Sequence, residues 1–211
     1  KQWVSLKEVA IDMPAGPSEV EVVADQTANP DFPAADFLSQ AEHGVDSQAL
    51  LVTPDEALID PGKEAIERQL ARLPRREITE KALAHSRIVL LRDQQEVVDF
   101  TNLYAPEHLI LQSADYAAIA AQVENAGSVF MGPYTPESAG DYASGTNHTL
   151  PTNGYAKAYS GVNLDSFIKK ITFQEITSEG IRSLGETIRT MAEGERLEAH
   201  RNAVTVRLNA L

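Results

Sequence analysis

The feature that most constrains the fold is a repeated change of hydrophobic period along the first 132 residues. The runs "SEVEVVAD", "SQALLVT", "RIVLL", "HLILQ" and "SVFMG" are short and rich in Val, Ile and Leu, as strands are. Between them lie "PAADFLSQAEH", "KEAIERQLARL", "QEVVDFTNLY" and "DYAAIAAQVENAG". These carry apolar residues three and four apart, as Ile66, Leu70 and Leu73 do, and read as helices, the last closed by Gly127. Strands alternating with helices imply βαβ crossovers. The expectation is therefore a doubly wound α/β fold with a mostly parallel sheet of about five strands, covered on both faces.

After Gly132 the pattern stops. "PYTPESAGDYASGTNHTLPTNGYAKAYSG" is so dense in Gly, Pro, Ser, Thr and Asn that it reads as a long loop, the kind that in compact domains is functional or disordered. The closing stretch places Ile181, Leu184, Ile188, Met191 and Leu197 as a helix interrupted by glycines, outside the sheet. A boundary near residue 162 divides an α/β portion, 1–162, with its glycine-rich loop at 132–162, from a C-terminal helical segment, 163–211.

Composition limits the chemistry. With no cysteine among 211 residues, thiolate zinc sites, iron–sulfur clusters and cysteine nucleophiles are excluded, so a metal would be held by His, Asp, Glu or Gln. A formal net charge of −13 argues against nucleic acid as a partner. No apolar run approaches the roughly 20 residues of a membrane span, and a soluble, cytoplasmic protein is expected. A G-x-G-x-x-G dinucleotide fingerprint is absent.

Four of the five histidines stand near acidic residues. Gln40 and His43, three apart in "FLSQAEHG", share one helix face, so an amide oxygen and an imidazole nitrogen can reach one cation before Gly44 ends the helix. His108 follows Glu107 in "APEHL"; His148 follows Asp141 in the loop; His200 follows Glu195 and Glu198 near the C-terminus. His85, in "LAHSRIVLL", has no such neighbour and reads as a surface residue. By spacing alone each pair also fits a solvated surface. In a parallel sheet the helix-to-strand junctions "QAEHG" and "APEHL" meet at one edge, opposite the edge where open α/β sheets usually bind ligands. Asp141 leaves from the other edge and has to fold back to join them.

Six stretches, "IDMPAGPSEV", "FLSQAEHG", "YAPEHL", "AGSVFMG", "PESAGDYASGTNHTLPT" and "ERLEAHRNAV", follow one another as in histidinol dehydrogenases. The sequence resembles the C-terminal half of that family from residue 11 onward, which implies an incomplete Rossmann-like portion of a longer chain. The resemblance implies oxidation of L-histidinol to L-histidine through the aldehyde, with two NAD and one zinc per site. It places the zinc ligands at Gln40, His43, Asp141 and His200. His108 would be the base for the alcohol step, and Glu107 would activate water for the aldehyde step. Ser18, His148 and Glu195 would join His108 and the ligand set in holding substrate. It further implies a homodimer with a shared active site, NAD contacts in the N-terminal half, and an inactive isolated fragment. Two other readings of the same residues are a zinc hydrolase in which Glu107 activates the water, against which stands the absence of H-E-x-x-H, and a non-catalytic binding or assembly domain.

Overall fold

A computed structural model describes residues 2–8 and 11–211, which form two compact units, one ending at Ile168 and the other spanning Lys169–Leu211. The first is built on a sheet of β1 (Glu19–Ala24), β2 (Gln48–Thr53), β3 (Arg87–Leu90), β4 (His108–Gln112) and β5 (Ser128–Met131). The strands run in the order β3-β2-β1-β4-β5, every pair parallel. This is the doubly wound order, with the connection reversing direction between β1 and β4.

Each strand face is covered by its own helices. Val20, Val22 and Ala24 of β1 and Ile110 of β4 pack with Phe37 and Leu38 of α2 (Asp31–Ala41) and Ala65 and Ile66 of α3 (Ile59–Leu70). α4 (Arg76–Leu83) adds Leu83 to that layer. On the other face Val23, Leu109 and Leu111 meet Val97 and Val98 of α5 (Gln94–Tyr104) and Ile119 of α6 (Tyr116–Ala120). A short N-terminal helix, α1 (Gln2–Ser5), precedes the sheet. Because side chains alternate along a strand, His108 and Gln112 share the α2 face of β4 with Ile110. α2 runs back from the C-terminal edge of the sheet, so Asp36 meets Gln112 there, and Gln112 Nε2 donates to Asp36 Oδ2 at 2.5 Å. One turn further on, Gln40 reaches the N-terminal edge.

Two sequence expectations for this unit are corrected. The helix expected up to Gly127 ends at Ala120, and Gly127 serves another purpose: a Cβ there would lie 2.5 Å from the backbone oxygen of Glu107. The glycine-rich stretch is not devoid of regular structure, since α7 (Glu137–Tyr142) begins directly after Pro136. Gly140 permits it: a Cβ at that position would stand 2.6 Å from the Phe130 ring, so only glycine lets the helix lie against β5.

The second unit is a hairpin of α8 (Ser178–Gly194) and α9 (Glu198–Leu208). Thr177 caps α8 by accepting the Gly180 N–H. The helix is not interrupted by its glycines. Gly185 lies inside it, where Leu208 packs close enough that a Cβ would meet it at 2.8 Å. Between the helices Arg196 adopts φ +60°, and the Leu197 N–H donates to the Ala192 oxygen at 2.8 Å, closing α8 with a left-handed turn. Among the described residues no helix is long and apolar enough to cross a membrane.

Candidate active site

The N-terminal edge of the β1–β4 seam gathers polar groups from four distant parts of the chain. β4 starts abruptly after α5. Ala105 ends that helix at φ +56°, a left-handed conformation, and Pro106 follows, so the chain turns at once into Glu107 and His108. Gly127 and Ser128 hold the next strand against this turn by donating to the Pro106 and Glu107 oxygens, each at 2.9 Å.

His108 is buried. Its Nδ1 lies 3.2 Å from the Glu19 carbonyl oxygen, which only accepts, so Nδ1 carries the proton and Nε2 is left as the basic nitrogen. That Nε2 is buried with no hydrogen-bond partner among the described residues. Burial also pushes the imidazole below its ordinary pKa and keeps it neutral. Beside it, Glu107 Oε2 accepts the Glu19 N–H at 2.9 Å, and the nearby Ser18 side chain favours the ionised carboxyl. Burial, with the charges of Glu19 and Asp141 adding to it, raises Glu107 to about 8. A neutral imidazole with a free nitrogen thus adjoins a carboxyl that changes charge near neutral pH.

Gln40 is fully buried on the last turn of α2. Its amide pairs donors with acceptors in one orientation: the NH2 faces Glu137 Oε1 and Oε2 at 2.5 and 2.9 Å, and its oxygen, at 3.1 Å, shares the Glu19 N–H with Glu107 Oε2 in a three-centre bond. His43 lies just past the helix and is exposed; its Nδ1 is 3.0 Å from the Ser39 oxygen, which leaves Nε2 outward-facing as a ligand. The donor atoms of His43, Glu137 and Asp141 lie within 4.8 Å of one another. Asp141 therefore does fold back. Nitrogen and oxygen donors, an imidazole locked in one tautomer and two carboxylates are a set that suits zinc.

Glu137 was not foreseen from the sequence. It is one turn before Asp141, so the pattern "ESAGD" sets both carboxylates on one helix face, a sign visible only once a helix is assumed there. It is 2% exposed, and burial next to Asp141, Glu107 and Asp36 raises it to about 9. Glu19 was likewise passed over; its Oε1 accepts the Asn153 N–H at 2.9 Å and ties the chain beyond His148 to β1. Thr152 Oγ1 makes a second such tie, accepting the Gly16 N–H at 2.6 Å. An open cleft of about 810 Å³ at this edge is lined by Ser18, Glu19, Gln48, Thr152 and Asn153, and by His85. His148 is exposed in the same unit, and its charge bears on His108. Glu195 and His200 belong to the other unit, both exposed, with the left-handed Arg196 between them. Between Glu195 and His200 the chain bends at Arg196, in the stretch that follows Gly194.

A doubly wound α/β chain with a buried imidazole and a cluster of nitrogen and oxygen donors that could hold a metal at the N-terminal strand edge has the make-up of a metal-assisted enzyme of the α/β class. Residues 1–208 match the family model "Histidinol dehydrogenase", and the chain belongs to that family. It is 65% identical over its whole length to a histidinol dehydrogenase of Bacteroides thetaiotaomicron and 58% identical over 201 residues to the chloroplastic one of Arabidopsis thaliana. The crystal structure of histidinol dehydrogenase from Elizabethkingia anophelis superposes with a TM-score of 0.96 at 57% identity, covering all of this chain and 48% of that one. The chain spans about half the length of the curated relatives it matches, 49% of the first.

Proposed function

We propose that this chain supplies the acid–base and metal-binding residues of a zinc- and NAD-dependent oxidation of L-histidinol to L-histidine. The observation that carries this is the His108 ring, with Nδ1 committed to the Glu19 carbonyl and a buried, unpartnered Nε2. In the alcohol step Nε2 would take the hydroxyl proton, and NAD, when bound, would supply the acceptor for the hydride of the carbinol carbon. In the aldehyde step Glu107 would take a proton from water as the water adds to the aldehyde carbon, and a second NAD, when bound, would accept the hydride that the hydrate loses. The Glu19 N–H holds the Glu107 carboxyl in place for that task, and Gly127, whose N–H donates to the Pro106 oxygen, lets the next strand lie close against the Glu107 backbone. Gln40, His43 and Asp141 would hold the zinc, which when bound supplies a Lewis-acidic anchor for the imidazole and amine of the substrate. Ser18 and His148 are assigned to substrate, and the NAD contacts to the part of the relatives' length that this chain does not span.

His200 as a zinc ligand and Glu195 as the partner of the substrate ammonium are assigned to a neighbouring subunit's site. The hairpin supports this: it is a unit of its own, and Ile171, Phe173, Leu184 and Met191 are half or more exposed on it, apolar surface that a second chain would cover. Mixing a variant lacking Asp141 with one lacking His200 under subunit exchange should restore roughly a quarter of the activity if sites are shared. No recovery despite exchange would put both ligands in one subunit.

The division of labour is tested by Glu107→Gln in the holoenzyme. Single-turnover oxidation of histidinaldehyde should slow by about 10²–10⁴-fold, and the alcohol step by much less. Equal slowing of both steps would refute the roles.

A further inference from the structure

An amide side chain has two ends of nearly equal shape, and only the oxygen binds a cation; the nitrogen lone pair is delocalised. For Gln40 to serve as a ligand, something must decide which end faces the site. We propose that Glu137 is the positioning residue that does so, by taking the Gln40 NH2 on its carboxylate. This rests on the zinc reading given above.

The geometry leaves little alternative. Gln40 is fully buried, so water does not satisfy its amide, and turning it over would set its NH2 against the Glu19 N–H, a donor facing a donor whichever protonation state Glu137 holds. In the satisfied orientation the NH2 meets Glu137 at 2.5 and 2.9 Å, while the oxygen accepts one bond from the Glu19 N–H and keeps a second lone pair. No lysine or arginine pairs with Glu137 among the described residues, so the amide is its one hydrogen-bond donor there. The position also fits: Glu137 and Asp141 are one turn apart on α7, so the helix that would bring a ligand also brings the group that orients another. Direct ligation by Glu137 is the competing role, since its oxygens lie in the same cluster as those of His43 and Asp141.

Three holoproteins separate the two roles: the unaltered one, Glu137→Gln and Glu137→Met. Zinc Kd is read by competition with a chromogenic chelator, and the ligand set by the visible d–d spectrum of the cobalt(II)-loaded forms. A glutamine keeps an oxygen acceptor for the Gln40 NH2, so E137Q should bind zinc within about threefold of the unaltered protein, with the same cobalt spectrum. E137M has the bulk without the acceptor and should lose tenfold or more, with an altered spectrum. Equal weakening in both variants makes Glu137 a ligand and overturns the proposal; unchanged binding in E137M overturns it as well. Should E137M fail to fold, the unaltered zinc protein decides. Its Gln40 NH2 protons, assigned by selective labelling, should show nuclear Overhauser contacts to the Glu137 side chain, and their absence refutes the positioning role. If the unaltered protein binds no zinc, the zinc reading falls and this inference with it.

Discussion

Acidic residues crowd both the sheet seam and the helical hairpin, yet the two regions treat them in opposite ways. Glu21, Asp36, Glu107 and Glu137 are buried in the first unit, and burial raises them to about 8, 7, 8 and 9. On the hairpin, Glu186, Glu193 and Glu198 lie in solvent within reach of Arg189 or Arg201. The same side chain is a proton-holding group in one place and a solvated charge in the other. Burial, and not residue type, decides which carboxyls hold a proton near neutral pH.

The sharpest way to break that contrast is at the base itself. His108→Gln should slow the alcohol half-reaction by about 10²–10⁴-fold, measured in single turnovers, with zinc content unchanged. Next is Gly127→Ala. Its Cβ would come within 2.5 Å of the Glu107 carbonyl, so the turn that carries Glu107 has to shift; a loss of about 10²-fold in aldehyde oxidation is expected, together with about 1–3 kcal/mol of stability by urea titration. The pH profile of the aldehyde step follows from Glu107, which must be ionised to accept a proton. Because its carboxyl is raised to about 8, the step should accelerate from pH 7 to 9, and a rate flat over that range would remove it as the base.

Glu21 tests the seam without touching the reaction. It is fully buried on β1 and accepts the Thr101 hydroxyl at 2.5 Å, with its other oxygen unpartnered. Its folded pKa of about 8 lies above the 4.5 of the unfolded chain, so the folded state binds the extra proton, and the stability this gives is fully present below about 4.5 and lost as pH rises through about 8. Glu21→Gln should remove about 1 kcal/mol per pH unit of that slope between pH 5 and 8 in urea titrations. The smallest effect is expected on the hairpin: Glu186, 77% exposed beside Arg189, should change stability by less than about 0.5 kcal/mol when converted to Gln. A large loss there would erase the contrast.

Much of the seam was legible in the sequence because its signs are periodic. All five strands were marked by their apolar runs, and Gln40 and His43 by a spacing that a helix turns into proximity. What escaped was set by packing. Glu19 and Glu21 alternate with Val20 and Val22 as a solvent-facing row would, but α5 covers that face. α7 hides in a stretch whose composition reads as loop, and its Gly140 is explained only by the Phe130 ring beneath it. With α7 went Glu137. The turn between α8 and α9 falls at Arg196, and a left-handed arginine has no sequence mark.

The strand order has a consequence for how the site comes into being. β1 lies in the middle of the sheet, flanked by β2 and by β4, which is made much later. The bond from the Glu19 N–H to Glu107 spans 88 residues of chain, and that from Gly16 to Thr152 spans 136. As the polypeptide leaves the ribosome, β1, β2 and β3 are free to pair while one flank of β1 stays open, and Gln40 and His43 wait without their counterparts. Such distant pairings are slow to close. The site is completed among the last events of folding this unit, so an assembled site reports that the whole sheet has formed.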